Sequence, residues 1–186
     1  MKFLIILILS LAGAAAVFVN LGGDTRLDGA SVISTGEALG HGTWVDLDSI
    51  RILHKLVEGK KVKAYMNHHS ATVPEAIGYF ENFRMMYLLD GQGALLGDLV
   101  LYDHEVETWR VRKLIEMVNK TPELIGISVV IGLELEEVGG KKFIRPTKIY
   151  SADVVAYPAA NEGGWYPKNH EVWEAPPPSI HQGSGR

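Results

Sequence analysis

Three residues of this chain carry the groups that can hydrolyse an amide without a metal or a thiol: Ser128, His68 and Asp153. A serine hydroxyl is a weak nucleophile until a base takes its proton. An imidazole titrates near neutrality and can take and return that proton, and a carboxylate can hold the imidazole in one tautomer. Ser128 stands in Gly126-Ile127-Ser128-Val129-Val130, inside a long apolar run that reads as a core strand. A hydroxyl there needs a partner, and a small core serine bonded to a neighbouring carbonyl fits the context as readily as a nucleophile. His68 follows the alternating run 61–66 in the triplet Asn67-His68-His69, at a strand end where side chains meet solvent; a solvated loop histidine is the competing reading. Asp153 enters an apolar strand in Ser151-Ala152-Asp153-Val154-Val155. A carboxylate buried there needs a partner, although alternation could equally turn it to solvent. Separations this wide are no motif, because triads are assembled by folding in several chain orders.

Composition narrows the chemistry further. With no cysteine, a disulfide framework, a thiolate nucleophile and Cys-ligated zinc are excluded. The histidines at 41, 54, 68, 69, 104, 170 and 181 include no HExxH pair, which argues against a zinc hydrolase, and the serine mechanism requires no metal or other cofactor. A length of 186 residues suits one domain with a real core. The chain is 47% hydrophobic and 22% charged with a net charge of -4, a globular balance that gives no sign of a nucleic-acid partner.

The elements that must position these residues follow from periodicity. Residues 1–20 hold Lys2 and then an uncharged apolar run with a small-residue patch at 12–16, which reads as a secretory signal or membrane anchor, or else as a buried strand. The run 30–33 suggests a strand between turns. Ile50, Leu53, Leu56 and Val57 mark a helix capped by Asp46 or Asp48 and stopped by Gly59. Residues 61–66 read as the strand that delivers His68, and 76–89 with 94–102 as a hairpin turning at Asp90-Gly91. Asp103 is the expected cap of a second helix carrying Val111, Leu114, Ile115 and Val118 on its apolar side. Glu105, Glu107, Arg110, Arg112 and Lys113 are expected on its solvated side, with Thr121-Pro122 ending it. Residues 124–135 and 147–157 are expected as paired strands turned by Gly139-Gly140. Residues 171–186, with three prolines at 176–178, are expected to be a disordered tail. The order argues for an α+β domain over 21–170 with a largely antiparallel sheet or barrel flanked by helices.

Several pieces in sequence order carry a family resemblance. They are Lys61-Val62-Lys63-Ala64 leading to His68, Ile77-Gly78 leading to Asn82-Phe83-Arg84, and Asp98-Leu99-Val100-Leu101. After them come Thr121-Pro122-Glu123 leading to Gly126-Ile127-Ser128-Val129-Val130, then Arg145-Pro146-Thr147, Ala152-Asp153-Val154-Val155 and Pro158-Ala159-Ala160-Asn161. Together, over about residues 27–166, they resemble the phage prohead, or capsid maturation, serine proteases, a family related in fold to the herpesvirus assemblins. The resemblance implies an assemblin-like fold and an endopeptidase that cleaves scaffold and major capsid proteins inside the prohead, in the host cytoplasm, with a homodimer as an option. It implies Ser128 as nucleophile and His68 as base, with His69 a bystander where relatives often carry proline. Assemblins use a second histidine as third member; here Asp153 takes that position, with Asp98 in reserve. The oxyanion needs preorganised donors, for which backbone amides after the Gly139-Gly140 turn or the Arg145 guanidinium are the candidates.

Two features depart from the family pattern. Residues 1–20 are foreign to it and, as a true signal, would export the protein or tether it to a membrane. Related reading frames often continue into a scaffold region, so the scaffold is expected as a separate protein or as a trimmed part. The competing functions are an exported or membrane-tethered α+β binding domain, in which Ser128 is a packed core residue, and a structural phage protein that kept the fold without activity.

Overall fold

In a computed structural model, the described residues are 25–38, 41–67, 76–87, 92–156 and 165, with the backbone of 17–18. They form strands β1 (Val17–Phe18), β2 (Thr25–Ser34), β3 (Gly36–Ala38), β4 (Thr43–Val45), β5 (Val62–Met66), β6 (Gly78–Tyr87), β7 (Gly93–Leu101), β8 (Gly126–Val138) and β9 (Lys141–Val155). The helices are α1 (Leu47–Val57), α2 (Asp103–Val106) and α3 (Trp109–Lys120). The sheet runs β1-β2-β7-β6-β5-β9-β4-β3, and β8 pairs with β9. Every ladder is antiparallel except those of β4 and β5 on β9. Because β8 also comes back against β2, the sheet curls into a half-barrel. The expected α+β class with a largely antiparallel sheet is what the described residues adopt.

The curl has a local cause. β7 is flanked by three register breaks, of which two lie beside Asp98, between Leu27 and Ala30 on β2 and between Glu81 and Arg84 on β6. Each of these two contains a residue of positive φ, Gly29 at 78° and Asn82 at 52°. Bulges of this kind bend and twist a strand. Between them lies the buried Asp98 of β7, whose Oδ1 accepts from the Gly29 amide at 3.0 Å and Arg84 Nη1 at 2.9 Å. Its Oδ2 accepts from Arg26 Nη2 and from Asn82 Nδ2, the latter at 3.4 Å. One carboxylate therefore fixes both bulges.

The apolar face of this sheet is closed by helices. α1 contributes Ile50, Leu53 and Val57, and α3 contributes Val111, Leu114 and Val118, to a core shared with Leu27, Phe80, Leu99, Ile127 and Val154. α1 begins at the Asp46 cap. Its side chain accepts from the Ser49 amide at 2.8 Å while the Asp46 amide donates to Ser49 Oγ at 3.3 Å, and Gly59 follows the helix at φ +66°. Trp165 bridges to Ala30 on β2 and is buried.

Several expectations need correction. The strand read at 30–33 extends over all of β2. The second helix is broken in two: Thr108 Oγ1 donates to the Glu105 carbonyl at 2.7 Å and accepts from the Val111 amide at 3.4 Å, ending α2 and capping α3. Tyr102, not Asp103, holds the cap position of α2. Glu105 is not solvated; it is buried and bonded to Arg110 Nη2 at 2.8 Å. β8 is fully buried only at Gly126 and Ile127, Val129 and Ile131 are half-buried against the core, and Leu133, Leu135 and Val138 are exposed. Within 1–20, Val17–Phe18 pairs with Leu27 and Arg26 of β2, and the remainder lies outside the described residues, as do Asp90-Gly91 and the tail 171–186. Among the described residues no helix is long and apolar enough to cross a membrane.

Candidate active site

Ser128 and Asp153 are register partners across the β8–β9 ladder. On the other edge of β9, Tyr65 of β5 is the partner of Asp153. Side chains in one cross-strand row share a face, so Tyr65, Asp153 and Ser128 line up on the same side of the sheet, with Cβ atoms of directly opposed residues about 4.5–5.5 Å apart. The next row, Met66, Val154 and Ile127, turns the other way, and Val154 and Ile127 are 3% and 1% exposed in the core. Alternation thus gives the apolar neighbours of Ser128 and Asp153 to the core and leaves the two polar side chains together on the opposite face.

Their burial differs in a way that suits distinct roles. Asp153 is 3% exposed, whereas Ser128 is only half-buried. A covered carboxylate beside a reachable hydroxyl is the arrangement an orienting acid and a nucleophile require. Beside this row, Lys63 of β5 faces Tyr79 of β6, and the Tyr79 ring lies 4.0 Å from Lys61 Nζ and 6.1 Å from the Tyr102 ring. The β5–β6 surface, across β9 from Ser128, is therefore polar and aromatic.

His68 lies outside the described residues, as does His69. The residue before them is described: Asn67 donates its amide to the Val154 carbonyl at 2.9 Å, next to Asp153, and has φ +62°. The chain thus reaches position 68 from the strand that neighbours Asp153. Tyr65 in this row and Asn67 beside it were not among the candidate residues that the sequence singled out. For Asn67 a signal existed, since asparagine is enriched several-fold among non-glycine residues of positive φ.

The remaining candidates are placed elsewhere. Asp98 sits on β7, separated from β9 by β6 and β5, with both oxygens engaged by Arg26, Arg84, Gly29 and Asn82. Arg145 is on the order of 25 Å along β9 from Asp153 at the usual strand rise. Its guanidinium forms a two-pronged pair with Asp46, at 2.8 and 3.0 Å, and reaches Glu136 at 2.6 Å. The hydrogen bond to Asp46 raises its pKa, burial opposes the rise, and the hydrogen bond to Glu136 and the charges of both carboxylates add to it. Gly139-Gly140 forms the turn between β8 and β9, on the order of 35 Å along β8 from Ser128. Neither suggested oxyanion donor is therefore near the hydroxyl; each serves the far end of the hairpin. Among the described residues, no cluster of three or more histidine or carboxylate side chains could hold a metal ion. No protein-family model, no curated protein and no solved structure matches the chain.

Proposed function

We propose that this chain is a serine endopeptidase of the prohead maturation kind, with an assemblin-like fold, Ser128 as nucleophile, His68 as general base and Asp153 as the carboxylate that orients it. The observation that carries the reading is the row in which Ser128 and Asp153 are paired on one face, beside the strand whose sequence continues into His68. The histidine takes the Ser128 hydroxyl proton as Oγ attacks the peptide carbonyl carbon. It then returns that proton to the departing amine as the C–N bond breaks, and water deprotonated by the same imidazole hydrolyses the acyl ester. Asp153 holds the imidazole tautomer and stabilises the imidazolium. The natural substrates are scaffold and major capsid proteins, and the enzyme acts in the prohead in the host cytoplasm, as a monomer or a homodimer; residues 1–20 would add a membrane contact if they act as an anchor.

The test is co-expression with the candidate scaffold and capsid proteins, read on a gel. Wild type trims its partners, and Ser128→Ala and His68→Ala do not. Trimming by both variants at the wild-type level would remove the catalytic assignment and favour a binding domain.

A further inference from the structure

We infer that a second copy of this chain docks along the free edge of β8, strand against strand, about a two-fold axis at Leu133. The inference is independent of the catalytic reading. Among the described residues β8 is hydrogen-bonded to β9 alone, so the outward amides and carbonyls of its distal half are open. That half is also apolar: Leu133 is 42% and Leu135 51% exposed, on the same face as the partly buried Ile131. An exposed apolar edge is a template for another strand. The charges select which strand. An antiparallel pairing about Leu133 sets Leu133 against Leu133, Leu135 against Ile131 and Glu134 against Gly132 of the second copy. Gly132 is the register partner of Lys148 on β9, so each Glu134 meets the Lys148 of the other copy across a residue with no side chain. Glu134 and Lys148 are both exposed and make no ion pair among the described residues. Neighbouring axes lack this match. At Glu134 two glutamates oppose each other, at Leu135 Glu134 opposes Glu136, and at Gly132 Glu134 opposes Val130, whose partner on β9 is Ser151. The contact is isologous and closes as a dimer, and its shortness confines the dimer to high protein concentration.

The chain has no cysteine, so single-cysteine variants report one position each. With copper–phenanthroline as oxidant, full-length Leu133→Cys should give a disulfide-linked dimer, because the two copies of position 133 are directly opposed. Leu135→Cys and Val138→Cys, exposed at least as much, should not, since their two-fold copies lie about 13 and 33 Å apart. Sedimentation velocity up to about 0.5 mM should show a reversible wild-type dimer that Leu133→Arg abolishes. Glu134→Lys and Lys148→Glu should each weaken it about two- to thirty-fold, and the double variant should restore it. A wild type that stays monomeric, cross-linking as fast at 138 as at 133, or a charge swap without rescue overturns the inference, and the first of these leaves the edge to a different partner. If circular dichroism shows Leu133→Arg unfolded, the cysteine series and the charge swap decide without it.

Discussion

Asp98→Asn removes one negative charge and one acceptor oxygen from the middle of the sheet while keeping the side-chain shape. The carboxylate accepts from Arg26, Arg84, Asn82 and the Gly29 amide. An amide at this position turns its own N–H groups toward at least one guanidinium, so about two charge-assisted bonds are lost, each worth about 1.5–3 kcal/mol when buried. The arginine side chains are each 33% exposed and can turn to water, and Arg26 retains Asp28 at 2.7 Å, which reduces the cost. We therefore expect a loss of about 2–3 kcal/mol at pH 7, or about 4–12 °C in Tm for a chain of this length. The pH dependence carries the signature. Burial pushes the Asp98 carboxyl up, but hydrogen bonds from Arg26, Arg84 and Gly29, with the charge of Arg84, hold it below its ordinary 3.8. A depressed folded pKa gives stability that is present above the unfolded value and lost as pH falls through the folded one. Asp46 is likewise lowered, against burial, by Arg145 and Ser49, but it titrates in both proteins and cancels in the difference. Urea unfolding of wild type and Asp98→Asn should show a constant gap from pH 7 to 5 that closes below 3.8. A gap under about 1 kcal/mol at pH 7, or one of full size at pH 3, would refute the argument that one ionised carboxylate holds both bulges.

Other substitutions test neighbouring parts. A Cβ added at Gly78 would lie 2.0 Å from the Val100 carbonyl oxygen, which is backbone, so Gly78→Ala should cost about 3 kcal/mol or more by thermal melt; a wild-type Tm would contradict the close β6–β7 approach. Thr108→Ala should cost about 1 kcal/mol in urea unfolding and Thr108→Ser much less, whereas equal stability of all three would mean the hydroxyl does not cap α3. Arg145→Met should lower stability by about 1–2 kcal/mol through the lost Asp46 pair yet leave trimming at the wild-type rate. A loss of about 100-fold in kcat would instead place the guanidinium at the oxyanion.

Much of this arrangement was legible in local pattern, and what was not has physical reasons. Alternation along 61–66, helical spacing at Ile50, Leu53 and Val57, and glycines at 59, 139 and 140 report local backbone preference, and the corresponding elements formed. Ser128 and Asp153 were legible as polar residues in apolar strands, but their pairing is a matter of register, which no local pattern encodes. The break at Thr108 was missed because the spacing of Val111 through Val118 lies wholly within α3 and does not mark where that helix begins, while Asp103 offers an acidic cap five residues earlier. Glu105 and Arg145 read as solvent-facing or catalytic charges because the partners that hold them, Arg110 and Asp46, are recognisable only after folding. The exposure of Leu133 and Leu135 was hidden for the same reason: an apolar run marks a strand without saying what covers it.

The central claim is that Ser128 is an activated nucleophile, and covalent labelling tests it most directly. Full-length protein is treated with a fluorophosphonate, digested, and mapped by mass spectrometry, alongside Ser128→Ala, His68→Ala and Asp153→Asn. The account predicts one modified site at Ser128 in the wild type, none in Ser128→Ala, and strongly slowed labelling in the other two variants. An unlabelled Ser128 in folded wild type that also fails to trim its partners, or labelling at the same rate in His68→Ala, would contradict it.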